Sequence, residues 1–130
     1  MPPIETITAP GLPIPAGHYS HATRAGNLVC VSGQLPVRPD GTHTGDRPFE
    51  EQAEQTLANL RTVLEAAGAR IEDCIEVTVY LVGVEHWNAF NEIYARHFGA
   101  WKPARAVVPV SGLHYGYLVE IAARAWVERG

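Results

Sequence analysis

A chain of 130 residues, 46% of them hydrophobic, can bury one sizeable core and is too short for two ordinary domains, so one domain over 1–130 is expected. Fourteen acidic against 10 basic residues leave a formal charge of -4 with no basic run, which argues against a nucleic-acid partner. Cys30 and Cys74 lack the spacing of a zinc site or a disulfide framework, and the uncharged stretch 106–119 is broken by Pro109, Gly112 and Gly116, so neither a metal nor a membrane partner is expected.

The N-terminal segment carries Pro2, Pro3, Pro10, Pro13 and Pro15 and lacks the basic and apolar regions of a signal peptide, which points to a cytoplasmic protein. Proline cannot donate to a ladder, so residues up to Gly17 should be irregular or form a short edge strand. His18–Arg24 and Asn27–Gly33 read as a hairpin turning at Ala25-Gly26, and 35–47 as a loop with a turn at Asp40-Gly41.

Asp46 is placed as an N-cap with Pro48 in the first turn. Phe49, Ala53, Leu57, Leu60, Leu64 and Ala67 then recur at spacings of three and four, predicting an amphipathic helix ended by Gly68. From Ile75 the period becomes two, with Ile75, Val77, Val79 and Leu81 on one face of a strand. A second helix is predicted from about Glu85 to Phe98, with Trp87, Phe90, Tyr94 and Phe98 on its apolar stripe and Gly99 as its stop. Strands at Ala104–Val110 and Tyr117–Val127 complete a β-β-α-β-α-β-β order, an α+β class.

Two helices can cover only one face of a sheet of five or six strands, so the other face needs a partner. The last strand fits this: Val119, Ile121, Ala123, Ala125 and Val127 form an apolar face, while Leu118, Glu120, Ala122, Arg124 and Trp126 mix charged with large apolar groups. Such a mixture suits a face that is covered by another subunit and lines a cleft.

Arg105 lies inside an apolar strand and cannot shed its charge, so it must reach water, pair with an acid or grip an anion, a task for which its planar fork is suited. Glu120 is similarly placed, and Arg124 on the same strand face is about 13 Å away, too far to pair with it. An ordinary salt bridge and a carboxylate-binding arginine beside a water-handling glutamate both remain open. A simple hairpin about residues 111–116 would put Arg105 and Glu120 on one face as diagonal neighbours. Asn91, one turn after Trp87 on the helical stripe, would need a partner for its amide. His18 and His21, three apart on a predicted strand, point to opposite faces and make a poor metal pair.

Gly17-His18-Tyr19, Ser32-Gly33-Gln34, Leu64-Glu65-Ala66-Ala67-Gly68, Asn91-Glu92-Ile93-Tyr94, Pro103-Ala104-Arg105 and Val119-Glu120-Ile121-Ala122-Ala123 occur in the order found in the RidA/YjgF family of enamine/imine deaminases, and the chain resembles that family over nearly its whole length. The resemblance implies a Bacillus-chorismate-mutase-like fold: a mixed β-sheet with two helices on one face, the last strand mid-sheet, and a homotrimer with a central β-barrel and clefts between subunits. It implies a hydrolase that turns 2-imino or 2-enamino acids into 2-oxo acids and ammonia without a cofactor. Arg105 would bind the substrate carboxylate across a cleft from Glu120, which would handle the water, while Tyr19 and Asn91 shape the site.

Two departures stand out. Val107 occupies the position where many family members carry a cysteine. Residues 111–117, Ser-Gly-Leu-His-Tyr-Gly-Tyr, are rich in His and Tyr, either as surface loop residues or as a pocket reshaped for a larger or unsaturated acid, in which His114 and Tyr115 would contact substrate. Alternatives to the general deaminase are an enzyme resembling 2-aminomuconate deaminase, a non-catalytic carboxylate sensor and an endoribonuclease, the last disfavoured by the acidic charge.

Overall fold

Phe49, Ala53, Leu57, Leu60 and Leu64 fall on the buried side of helix α1, Phe49–Ala66, in the computed structural model, which describes residues 3–128. The helix starts later than Asp46 as a cap would require. A turn closed by the Arg47 amide on the Thr44 carbonyl intervenes, and Pro48 holds the N-cap position with Glu50 and Glu51 supplying negative charge in the first turn. Gly68 ends the helix as expected: at φ +82° it lets the Ala69 amide reach back to the Leu64 carbonyl and its own amide to Glu65.

The strands are β1 (Glu5–Ile7), β2 (Ala22–Ala25), β3 (Leu28–Gln34), β4 (Cys74–Val82), β5 (Ala104–Val110) and β6 (Val119–Trp126), and the second helix is α2 (Trp87–Phe98), entered through a 3-10 turn at Val84–His86. They form a mixed six-stranded sheet in the order β1-β2-β3-β6-β4-β5, in which only β4 and β5 run parallel. Among the described residues no helix is long and apolar enough to cross a membrane.

Four local expectations shift. Ile75, expected on the dry face of β4, is 45% exposed, because a register slip between Cys74 and Glu76 puts Cys74 on that face in its place. The β2–β3 loop is Gly26-Asn27 rather than Ala25-Gly26, since Ala25 pairs with Leu28 and Gly26 supplies the positive φ of +58°. The strand expected from His18 begins at Ala22. Its missing residues are drawn toward the Pro-rich segment by the buried His21 ring, whose Nδ1 accepts the Ala9 amide at 2.9 Å and whose Nε2 donates to the Pro13 carbonyl at 2.9 Å. Trp87, expected on the dry stripe of α2, is 40% exposed; Phe90, Ile93, Tyr94 and Phe98 make the buried face instead.

The hairpin about 111–116 does not form. The chain leaves edge strand β5, passes β4 and inserts β6 antiparallel between β3 and β4, mid-sheet as the family resemblance implies. Insertion lets Val119, Ile121, Ala123 and Ala125 lie beneath α1, where all four are buried, whereas an edge position would leave half of this apolar face wet. Both helices pack on that face, and the opposite face carries no helix.

One row of α1 is polar yet buried. Asn59 Nδ2 donates to the carbonyls of Leu35 at 3.0 Å and Val37 at 2.8 Å, and its Oδ1 accepts from Gln55 at 2.9 Å. Gln52 accepts the Leu118 amide at 2.9 Å and donates to the Arg47 carbonyl at 3.0 Å. These amides tie the 35–48 loop and the entry to β6 onto one rigid helix. Asn59→Leu, which leaves the Val37 carbonyl without its Asn59 partner and the Leu35 carbonyl with only the Val37 amide, is expected to lower unfolding stability by about 1–3 kcal/mol, read as a reduced midpoint in urea denaturation with little change in slope.

Candidate active site

Parity in the sheet decides where the two charged residues of interest point. Arg105 registers with Val77 of β4, whose side chain is buried beneath the helices, whereas Glu120 registers with Tyr80, on the uncovered face. The two therefore lie on opposite faces of the sheet, and the common face allowed by a hairpin is corrected by the insertion of β6.

Arg105 projects from the edge strand under the start of α2. Its Nη1 donates to Asn91 Oδ1 at 3.0 Å, and its guanidinium carbon lies 4.9 Å from the Trp87 ring centre and 4.7 Å from that of Tyr94. Two ring faces and one amide oxygen hold the fork in place while leaving most of its N–H groups unused. Trp87, Asn91 and Tyr94 can do this together because they recur at four and three residues on α2. Burial pushes the Tyr94 hydroxyl up to about 12, against the pull of the Arg105 charge.

Arg105 is the charged wall of a cleft of about 450 Å³ whose other walls, among them Leu81, Val84, Trp87, Val107 and Pro109, are apolar. Val107 presents a methyl surface to this cleft. Asn91 is exposed, so its partner is found at the rim of the helix and not within the dry stripe.

Glu120 is half-buried on the other face, beside a bulge where the β3–β6 register slips between Val31 and Gln34. A Cβ on Gly33 would run into the Glu120 carboxylate, so the close approach needs glycine there. Burial raises the Glu120 carboxyl above the ordinary glutamate range, and the charge of nearby His114 opposes the rise in part. A carboxylate held with an elevated proton affinity is suited to taking a proton from water and returning it.

Gly33 also lines a separate cavity of about 250 Å³, bounded by Tyr19, His43, Tyr115 and Tyr117. Of the sequence-predicted site residues, the fold brings Arg105 to Asn91 on one face and His114 near Glu120 on the other, while Tyr19 and Tyr115 line a cavity that shares Gly33 with Glu120. The residues missed by sequence reasoning are Trp87 and Tyr94 as the holders of Arg105, and His43 in the wall of that cavity. The spacing on α2 could have found the first pair; His43 sits in an aperiodic loop and gives no such signal.

The family model described as Endoribonuclease L-PSP matches residues 9–127. A RutC family protein of Pyrococcus horikoshii is 41% identical over 124 residues, covering 95% of this chain and 98% of its own. The chain belongs to the RidA/L-PSP family. A member of that family named 2-iminobutanoate/2-iminopropanoate deaminase, from Dermatophagoides farinae, is 34% identical over 130 residues, with 98% of this chain and 100% of that one covered. The crystal structure of RidA from an Antarctic Psychrobacter superposes with a TM-score of 0.90 at 33% identity, covering 95% and 99% of the two chains. The RidA-type α+β arrangement of one mixed sheet with two helices is therefore common to both.

Proposed function

We propose that this chain is a 2-imine/2-enamine deaminase that works as a homotrimer, with each site assembled from Arg105 of one copy and Glu120 of the next. The observation that carries this is the separation of the two residues on opposite faces of one sheet: a carboxylate clamp at the sheet edge and a water-handling acid on the bare face can cooperate only across a subunit boundary. The bare face suits burial in an assembly, since Leu118, Ala122 and Trp126 alternate there with Glu120 and Arg124, and Trp126 is 46% exposed in the isolated chain. The family member named as a 2-imino acid deaminase supports the reaction class.

In this reading the enamine first tautomerises to the imine, and Arg105 takes the substrate carboxylate bidentately. Glu120 accepts a proton from water as the oxygen adds to the C=N carbon, giving a tetrahedral carbinolamine. The protonated carboxyl returns that proton to nitrogen; the carboxylate then takes the carbinolamine O–H proton and passes it to nitrogen as the C=O bond forms and the C–N bond breaks, and ammonia and a 2-oxo acid leave. Imine and water balance 2-oxo acid and ammonia, and positioning with one proton carrier can supply much of the acceleration. The acidic surface, with a net charge of -4, does not favour a phosphate backbone as the substrate.

The test is subunit complementation. Arg105→Ala and Glu120→Gln homo-oligomers should each fail to speed release of 2-oxo acid from imines made by an amino-acid oxidase. Trimers reassembled from an equal mixture should recover about one quarter of native activity, because one interface in four unites both intact residues. No recovery from well-mixed trimers would overturn the shared site, and a monomer by sedimentation would overturn the assembly.

A further inference from the structure

We propose that the cavity beside Glu120 receives the substrate's side chain and is built for an aromatic ring, so that the preferred substrates are 2-imino acids with aryl side chains. The proposal rests on the deaminase reading and adds the substrate class.

The cavity measures about 250 Å³, more than the roughly 150 Å³ that accommodates benzene in an apolar protein interior. Gly33 is part of its lining, and the Glu120 carboxylate lies against Gly33, so a ligand reacting at Glu120 is within reach of it. One wall is aromatic: the rings of His43 and Tyr115 stack with centres 4.2 Å apart at 23°, and Tyr117 meets Tyr115 edge-on at 5.9 Å. Such walls favour a flat π-surface over a flexible alkyl chain.

The wall is held rigidly. The Tyr117 hydroxyl and His43 Nδ1 are hydrogen-bonded to each other. Tyr115 has φ +59°, the only non-glycine residue with positive φ among those described, and its carbonyl sits where a Cβ on Gly45 would be. A strained tyrosine kept in place by a neighbouring glycine is a feature that packing alone does not require.

The mouth is apolar and exposed, with Ile14 84% exposed between Pro13 and Pro15, Tyr115 59% and Tyr19 53%. Large apolar groups held in water around a cavity by stiff backbone mark a ligand entrance. No Lys or Arg lines the cavity, so a second carboxylate on the side chain, as in an aminomuconate, finds no cation there.

The experiment compares full-length protein on imines generated by an amino-acid oxidase from phenylalanine and from 2-aminobutanoate, and measures 3-phenylpropanoate against butanoate binding by calorimetry. A kcat/KM ratio of about tenfold or more for the aryl imine is expected, together with tighter aryl binding. Ala16→Trp, an exposed position that fills the cavity from its mouth, should bring both ratios near one. Turnover without aryl preference, or preference unchanged in Ala16→Trp, overturns the pocket and leaves the deaminase standing. No turnover but selective aryl binding lost in Ala16→Trp overturns the deaminase and supports the pocket as a ligand site; absence of both overturns both.

Discussion

Arg105→Ala is expected to reduce kcat/KM for any 2-imino acid by roughly 10²–10⁴-fold. Two charge-assisted hydrogen bonds to a substrate carboxylate are each worth about 1.5–3 kcal/mol, and 1.36 kcal/mol corresponds to a factor of ten. The loss should appear mainly as weaker binding, because the clamp touches the carboxylate and not the reacting carbon. Arg105→Lys should recover little: a lysine supplies charge without the planar fork that Trp87 and Tyr94 flank. Folding should survive, since Arg105 is at the sheet edge and its one protein hydrogen bond is to exposed Asn91. Calorimetry with a small 2-oxo acid together with a melting curve separates lost binding from lost fold.

Glu120→Gln should cost about 10²–10⁴-fold in kcat while leaving carboxylate binding nearly intact, the range expected for removal of one general acid–base group. In the native protein the rate should rise with pH as the carboxylate forms, and because burial raises its proton affinity, that limb should lie above the ordinary glutamate range. The sign for stability is opposite. The folded chain holds this proton more tightly than the unfolded one, so the contribution of Glu120 is favourable at low pH and is lost as pH rises through its elevated value. Glu120→Gln should therefore remove the acid limb without lowering the melting temperature. A variant that binds and melts normally yet keeps native turnover would deny Glu120 any part in the chemistry and favour the sensor reading.

The residues of the candidate site were legible in the sequence to different degrees. Arg105 and Glu120 stand out because a charge in an apolar strand must be satisfied, and that argument needs no coordinates. The pairing of Asn91 with Arg105 is half legible: its place on α2 is visible, but the sequence suggests a buried amide, whereas the structure uses an exposed one as an acceptor. His43 was invisible, since it belongs to an aperiodic loop whose course is fixed by Asn59 and Gln52 side chains on α1, and hydrogen bonds between a helix and a distant loop leave no periodic trace.

By itself the sequence determined the element order, the dry faces of α1 and β6, that of β4 from Val77 onward, and the residues worth testing, because periods of 3.6 and 2 are local consequences of backbone geometry. Only the tertiary structure decided that β6 inserts between β3 and β4 instead of folding back on β5. Strand order depends on which pairing buries the most apolar surface beneath the helices, a non-local sum that no window of residues contains. That one choice puts Arg105 and Glu120 on opposite sides of the sheet, so the pair that reads as possible along the chain does not form within it.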